Sequence, residues 1–168
     1  MKFFSCLVLL LCVSGCGYHF SGTTGNLPGG VEKLYIPLFV NKTTESRLET
    51  RFASQVSEVF SRNKKILQVE KREESEAVLL GTVRSYKNKS LSYDRRDDIG
   101  TYLSKMIIDV ELRQTETNQL LWSGSVSWGE TYHASDDKNI QDLARQQALQ
   151  QIILRLSEDL FYRLLDDF

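Results

Sequence analysis

Two long runs of alternating residues set the tightest limit on what this chain can become. Between Tyr102 and Thr115, Tyr102, Met106, Ile108, Val110 and Leu112 share one side, and Lys105, Asp109, Glu111 and Arg113 the other. Between Leu120 and Tyr132, Leu120, Trp122, Val126 and Trp128 oppose Ser123, Ser125, Ser127 and Thr131. Successive side chains of a strand point to opposite faces, so a period of two predicts strands that are apolar on one face and polar on the other. The link from Glu116 to Gln119, with Asn118 suited to a tight turn, predicts a hairpin. A third strand, Ala77 to Asn88, carries Ala77, Leu79, Gly81 and Val83 against Thr82, Arg84 and Tyr86. One-sided strands of this kind imply an antiparallel sheet covered on a single face.

Two helical patterns supply the cover. After a polar break at Asn41 to Glu45, Leu48, Phe52, Val56, Val59 and Phe60 recur at helical spacing. Ser46 and Glu49 fit a capping box, with Thr44 as a competing cap. The second pattern runs from Asn139 to Leu165, where Ile140, Leu143, Ala144, Leu149, Ile152, Ile153, Leu156, Leu160 and Leu164 trace a broad stripe. Asp136, Asp137 and Asn139 offer caps to its positive end. Val31 to Val40 reads as an earlier strand, with Leu34, Ile36, Leu38 and Val40 on one side and Lys33, Tyr35, Pro37 and Phe39 on the other. Ile66, Leu67 and Val69 make a short strand after the first helix. Strand, helix, strand in that order implies a parallel crossover. The expected fold class is α+β, a two-layer sandwich with two helices packed on one face of a four- to five-stranded mixed sheet.

The amino terminus is of another kind. Lys2 precedes an almost unbroken apolar run from Phe3 to Val13, and Val13-Ser14-Gly15-Cys16 follows. A basic start, a short apolar stretch and small residues before a cleavage point describe a secretory signal peptide. The run is too short to span a bilayer, which takes roughly 20 apolar residues. With a cysteine after the small residues, the stretch resembles a bacterial lipobox, whose thiol receives a diacylglyceryl group before the new terminus is acylated. Each buried methylene contributes about 0.8 kcal/mol, so two or more acyl chains hold stably where one does not. Cys16 is therefore the expected membrane anchor. Gly17 in place of an acidic residue points to the outer membrane, by resemblance to bacterial lipoproteins. The expected organisation is a signal peptide over 1–15, an acylated terminus and tether over 16–30, and a single domain over 31–168.

Of the chain's 168 residues, the fifteen of the leader are lost and 153 remain, enough for one ordinary domain. Twenty-one basic residues stand against 22 acidic, so there is no global field for nucleic acid and any charged partner must meet a local cluster. Of three cysteines, Cys6 and Cys12 leave with the signal and Cys16 is acylated, so the domain stands on its core without disulfides. His19 and His133 form no metal-ligand cluster, and no motif for a cofactor occurs. Asp97, Asp98 and Glu130 are carboxylates, but Arg95 and Arg96 beside the first two make a solvated charge cluster the simpler reading. Ser104, Ser123, Ser125 and Ser127 lie in strand patterns, with no base matched to a nucleophile. Enzymatic activity is not expected.

The stronger chemical signal is a basic cluster around the hairpin after the third strand. Arg84, Lys87, Lys89, Arg95 and Arg96 gather there, interleaved with Tyr86, Tyr93 and Tyr102. Strand alternation lets Arg84 and Tyr86 project together and sends Lys87 and Lys89 to the opposite face. Such groups can hold phosphate or carboxylate. They can equally protect a sheet edge from pairing.

Several short motifs, taken in order, resemble one family. Cys16-Gly17-Tyr18-His19-Phe20 follows the lipobox; Leu27-Pro28-Gly29 and Leu34-Tyr35-Ile36-Pro37 come next. Asn41-Lys42-Thr43-Thr44 precedes the first helix, Glu76-Ala77-Val78-Leu79-Leu80-Gly81 opens the third strand, and Leu121-Trp122 follows the hairpin. The set resembles the lipopolysaccharide-assembly lipoprotein family LptE over nearly the whole chain. The resemblance implies an outer-membrane lipoprotein on the periplasmic side, plugging the large LptD β-barrel, assisting its assembly and contacting lipopolysaccharide. It places no ligand residue by motif, so Lys87, Lys89, Arg95 and Arg96 are candidates from their chemistry alone. The alternative is a generic outer-membrane lipoprotein that docks on, or activates, another envelope protein.

The anchor has a direct test. Cys16→Ala should leave the protein unlipidated, with its signal uncleaved or misprocessed, in membrane fractionation and mass spectrometry of the mature terminus. An unmodified Cys16 in the wild type would contradict the assignment.

Overall fold

The computed structural model describes residues 26–93 and 99–166. Its strands are β1 (Lys33–Tyr35), β2 (Val40–Asn41), β3 (Leu67–Gln68), β4 (Ala77–Tyr93), β5 (Ile99–Gln114) and β6 (Leu120–His133). Helix α1 (Leu48–Ser61) lies between β2 and β3, and α2 (Lys138–Asp166) follows β6. The strands form one mixed sheet in the order β3-β1-β4-β5-β6, with β2 also pairing β4. Long antiparallel ladders join β4 to β5 and β5 to β6, while β1, β2 and β3 pair in parallel. The parallel β1–α1–β3 unit is the crossover that its sequence implies. Six strands rather than four or five result because the predicted Val31–Val40 strand breaks into two.

Pro37 is the cause of that break. It removes a ladder donor, and the alternation reverses across it. Leu34 and Phe39 are both buried, whereas Leu38 and Val40 are 66% and 55% exposed, contrary to the single apolar side expected of the unbroken strand. Phe39 then packs on Phe52 of α1 with ring centroids 5.2 Å apart.

Both helices pack on one face of the sheet, and the core is continuous across the two layers. Cross-strand rows carry it: Leu79, Leu112 and Trp122; then Gly81, Val110 and Gly124; then Val83, Ile108 and Val126. All but the two glycines are buried hydrophobic residues, and they meet Leu48, Phe52, Val56 and Phe60 of α1 and Leu149, Ile152, Leu156 and Leu160 of α2. Phe60 meets Phe161 edge-on at 5.1 Å, closing one end of the helix pair. Among the described residues every buried polar side-chain atom has a partner.

The ends of the elements depart in part from simple capping. Ser46 does not cap α1; Arg47 precedes the helix in the left-handed region at φ 63° without a side-chain cap. The amide of Asn41 instead donates to the Glu45 carbonyl at 2.8 Å and to Glu49 Oε2 at 2.9 Å. Asn41 Oδ1 accepts from the Thr43 N–H at 3.0 Å, so this one side chain organises the approach to α1. At α2 the expected cap forms, with Asp137 Oδ1 accepting the Asn139 N–H at 2.8 Å. The stripe of α2 begins later than its sequence suggests: Ile140 and Leu143 are 59% and 57% exposed. Asn118 takes the left-handed turn conformation at φ 56°, which closes the β5–β6 hairpin.

Three measurements follow from this packing. Ile108→Ala, at a fully buried position, should cost roughly 2–5 kcal/mol, and Ser125→Ala on the exposed face far less in the same thermal melts. A Cβ on Gly81 would fall 2.1 Å from the buried Phe39 ring. Gly81→Ala should therefore destabilise by about 1–3 kcal/mol through overpacking, and adding Phe39→Leu should recover part of the loss. Glu76 Oε2 accepts the backbone N–H groups of Glu32 at 2.8 Å and Lys33 at 3.3 Å. These bonds hold its carboxyl below the ordinary glutamate range. A depressed carboxyl stabilises the fold above the ordinary value and loses that contribution as pH falls through the folded one. The stability gap between wild type and Glu76→Gln should narrow on acidification; a gap independent of pH would contradict this.

Candidate functional site: the open face of the β4–β5 hairpin

Among the described residues nothing covers the face of the sheet away from the helices, and one irregularity decides what it presents. The β4–β5 register runs regularly to Val83↔Ile108 and resumes at Ser85↔Ile107, leaving Arg84 as an extra residue. A bulge of this kind shifts the alternation by one. Beyond it Tyr86 lies opposite the buried Met106 and packs on the core, while Lys87 lies opposite Lys105. Arg84 and Tyr86 thus do not project together as the uninterrupted alternation predicts. Arg84 stays on the open face, 3.5 Å from Asp109.

Beyond the bulge the open face is basic. Lys87 is the direct cross-strand partner of Lys105, and Lys89 is that of Leu103. With Ser85 and Ile107 they line a shallow hollow of about 250 Å³. Among the described residues none of the three lysines forms an ion pair. Three ammonium groups around two aliphatic side chains can hold an anion that also carries alkyl surface. Of the four residues singled out by sequence, Lys87 and Lys89 come together here. Arg95 and Arg96 lie outside the described residues, as does Cys16.

Lys105 is the residue that sequence reasoning missed. Its strand phase correctly placed it on the polar face. Its position opposite Lys87, however, depends on the β4–β5 register and on the bulge, and neither leaves a local mark in the sequence. The two lysines also differ in setting. Beyond Val83 no described strand pairs the far side of β4, so Lys87 and Lys89 sit on a sheet edge. Lys105 is on β5, between β4 and β6, and guards no edge.

The other polar groups form structural links. Ser104 is buried under the hairpin, donating to Asn88 Oδ1, with the Tyr86 hydroxyl 3.4 Å away. Tyr102 stacks on Tyr132 at 5.3 Å, and burial pushes the Tyr132 phenol above its ordinary range. Arg145 of α2 donates to Glu45 at 2.8 Å, tying the second helix to the loop before the first. His133 is exposed, and among the described residues no three metal-ligating side chains converge.

Known structures share this architecture. A lipoprotein B from Nitrosomonas europaea matches with a TM-score of 0.63 and 16% identity, over 89% of this chain and 90% of its own. The rare lipoprotein B of Shewanella oneidensis matches at 0.56 and 9% identity, over 76% and 89%. A minor lipoprotein of Acinetobacter baumannii matches at 0.56 and 8% identity, over 81% and 92%. At such identities the likeness establishes the fold alone. No curated protein matches the chain in sequence. The family model for LptE, lipopolysaccharide-assembly, matches residues 31–164, which is nearly the whole folded domain. This chain therefore belongs to the LptE family of lipopolysaccharide-assembly proteins.

Proposed function

We propose that this lipopolysaccharide-assembly protein is held at the periplasmic face of the outer membrane by acylated Cys16. There it plugs an LptD-like β-barrel and assists its assembly. It contacts lipopolysaccharide through the open face of the β4–β5 hairpin. The observation that carries the ligand assignment is the pairing of Lys87 with Lys105. Like charges directly opposite each other across a ladder are destabilising, on a scale of about 0.2–1 kcal/mol. Edge protection accounts for Lys87 and Lys89 but not for Lys105, which has no edge to protect. An anion seated between the three ammonium groups relieves the repulsion, and lysine is a competent point-charge partner for phosphate. Leu103 and Ile107 between the lysines suit the acyl portion of a phosphorylated glycolipid. Arg95 and Arg96, which follow β4 in the sequence, are assigned to the same ligand.

The partner assignment rests on family membership and on the character of the open face. Ser123, Ser125 and Ser127 line one side of it, and Lys105, Asp109, Glu111 and Arg113 its centre. The lumen of a large outer-membrane barrel is polar and is often plugged, so this face suits it. A lipid anchor joined by a short tether raises the effective concentration of the second contact, which lets a polar interface hold.

Charge reversal tests the ligand site. Combining Lys87→Glu, Lys89→Glu and Lys105→Glu should weaken lipopolysaccharide binding by at least about tenfold and flatten its dependence on salt. Thermal melts should stay close to wild type because all three side chains are exposed. Unchanged affinity would refute the ligand site and leave Lys87 and Lys89 as edge protection. A one-to-one complex with the barrel should co-purify from solubilised membranes, and photo-crosslinkers at Ser125 and Lys105 should capture it in cells. If no barrel is captured, a lipoprotein docking on another envelope protein takes its place.

A further inference from the structure

Among the described residues the two longest stretches of unpaired strand edge lie on β4 and on β6, and the chain treats them differently. Beyond Val83 the free side of β4 carries Arg84, Lys87 and Lys89, the kind of charge that discourages strand pairing. β6 forms the opposite edge; near Leu121 it meets the Pro28–Gly30 turn, and from Ser123 to His133 its sequence contains no lysine, arginine or proline. Its one acid, Glu130, accepts the Trp128 indole N–H at 2.7 Å. From Thr101↔His133 to Leu112↔Trp122 the ladder with β5 has no register shift, so no bulge bends this edge away. Among the described residues, Ser123–His133 makes no backbone hydrogen bond outside that ladder. The open-face side chains are small: Ser123, Ser125, Ser127 and Gly129, all exposed. On the helix side Trp128 is 42% exposed, although it lies in the same row as the buried Met106.

We propose that β6 receives an extended segment of the docking partner as an additional strand. A strand edge offers alternating N–H and C=O groups, and only another extended backbone satisfies them in series. The position of α2 limits which backbone can do so. α2 packs chiefly on β6 and only slightly on β5. A second copy pairing edge to edge would place two α2 helices over strands about 4.8 Å apart, whereas packed helices need about 8–10 Å. The added strand therefore brings no helix of its own. The barrel wall is closed and has no strand edge to give, so the segment lies outside that wall. It is uncharged, or basic only opposite Glu130, and an apolar residue on its helix side covers Trp128. The inference rests on the docking reading for the source of the segment, and is independent of the lysine site.

Strand addition leaves a register that other contacts do not. In cells carrying the full lipoprotein, p-benzoylphenylalanine would be placed singly at Ser123, Ser125 and Ser127, with Lys105 on the open face as reference. Mass spectrometry should map the three β6 crosslinks to one partner segment, in order, at residues two apart. Amide exchange in β6 should also slow by at least about tenfold in the purified complex relative to the free lipoprotein. Crosslinks scattered over several partner elements would overturn the proposal, as would crosslinks to a second copy or to this chain's own amino-terminal residues. Capture from Lys105 with no ordered series from β6 would leave docking standing and the strand addition refuted. Capture from none of the four positions would remove the docking reading as well.

Discussion

Two aromatic rings seated over two glycines set how closely the helices approach the sheet. In the row formed by Gly81, Val110 and Gly124, both flanking positions lack a side chain. Phe39 fills the space above Gly81 and Trp122 that above Gly124, where added Cβ atoms would fall 2.1 Å and 2.5 Å from the rings. Phe39 in turn meets Phe52 of α1. The thin row thus admits large groups without lifting the helical layer. Interiors packed at crystal-like density transmit such constraints, because there is little void to absorb a displaced ring. Gly81 sits two residues before Val83, so this contact fixes which face of β4 is turned inward just ahead of the bulge.

The bulge at Arg84 then separates structural from chemical work within a single strand. On its near side the alternation is set by the core through Leu79, Gly81 and Val83. On its far side the same strand turns Tyr86 inward and Lys87 and Lys89 outward. Without the extra residue the lysines would face the helix layer and Tyr86 would face the open side. A one-residue slip exchanges every side chain between the two faces, so the basic surface exists only because β4 carries one residue more than β5.

Periodicity made the three long strands, both helices and the two-layer arrangement legible, because a buried face leaves a repeating trace in sequence. It gave the hairpin at Asn118 and the Asp137 cap for the same local reason. It did not give the reversal at Pro37, where Phe39 rather than Leu38 enters the core, since both residues are apolar. It also extended the α2 stripe to Ile140 and Leu143, which lie on a first turn that the sheet does not cover. The candidate site was half legible. Lysines at 87 and 89 announce themselves, but the lysine that faces them comes from another strand, and pairing between distant strands is a tertiary choice.

The two edges and the open face are the surfaces of the sheet that the helices leave uncovered among the described residues. Its helix-covered side is closed by a continuous core, so new interactions fall to the other surfaces. One edge carries cations, and with Lys105 those cations continue onto the open face, where like charges stand directly opposite one another. The opposite edge carries one acid and no lysine or arginine, is straight and is lined with serine and glycine, with Trp128 half uncovered beside it. An unguarded edge of this length is a liability for a free protein, because it invites pairing with any extended chain. Sequences tolerate such an edge where a partner regularly covers it. Lys87 and Lys89 lie across β5 from the bare edge, and Lys105 offers its side chain rather than its backbone, so the proposed ligand and the proposed strand would use different groups.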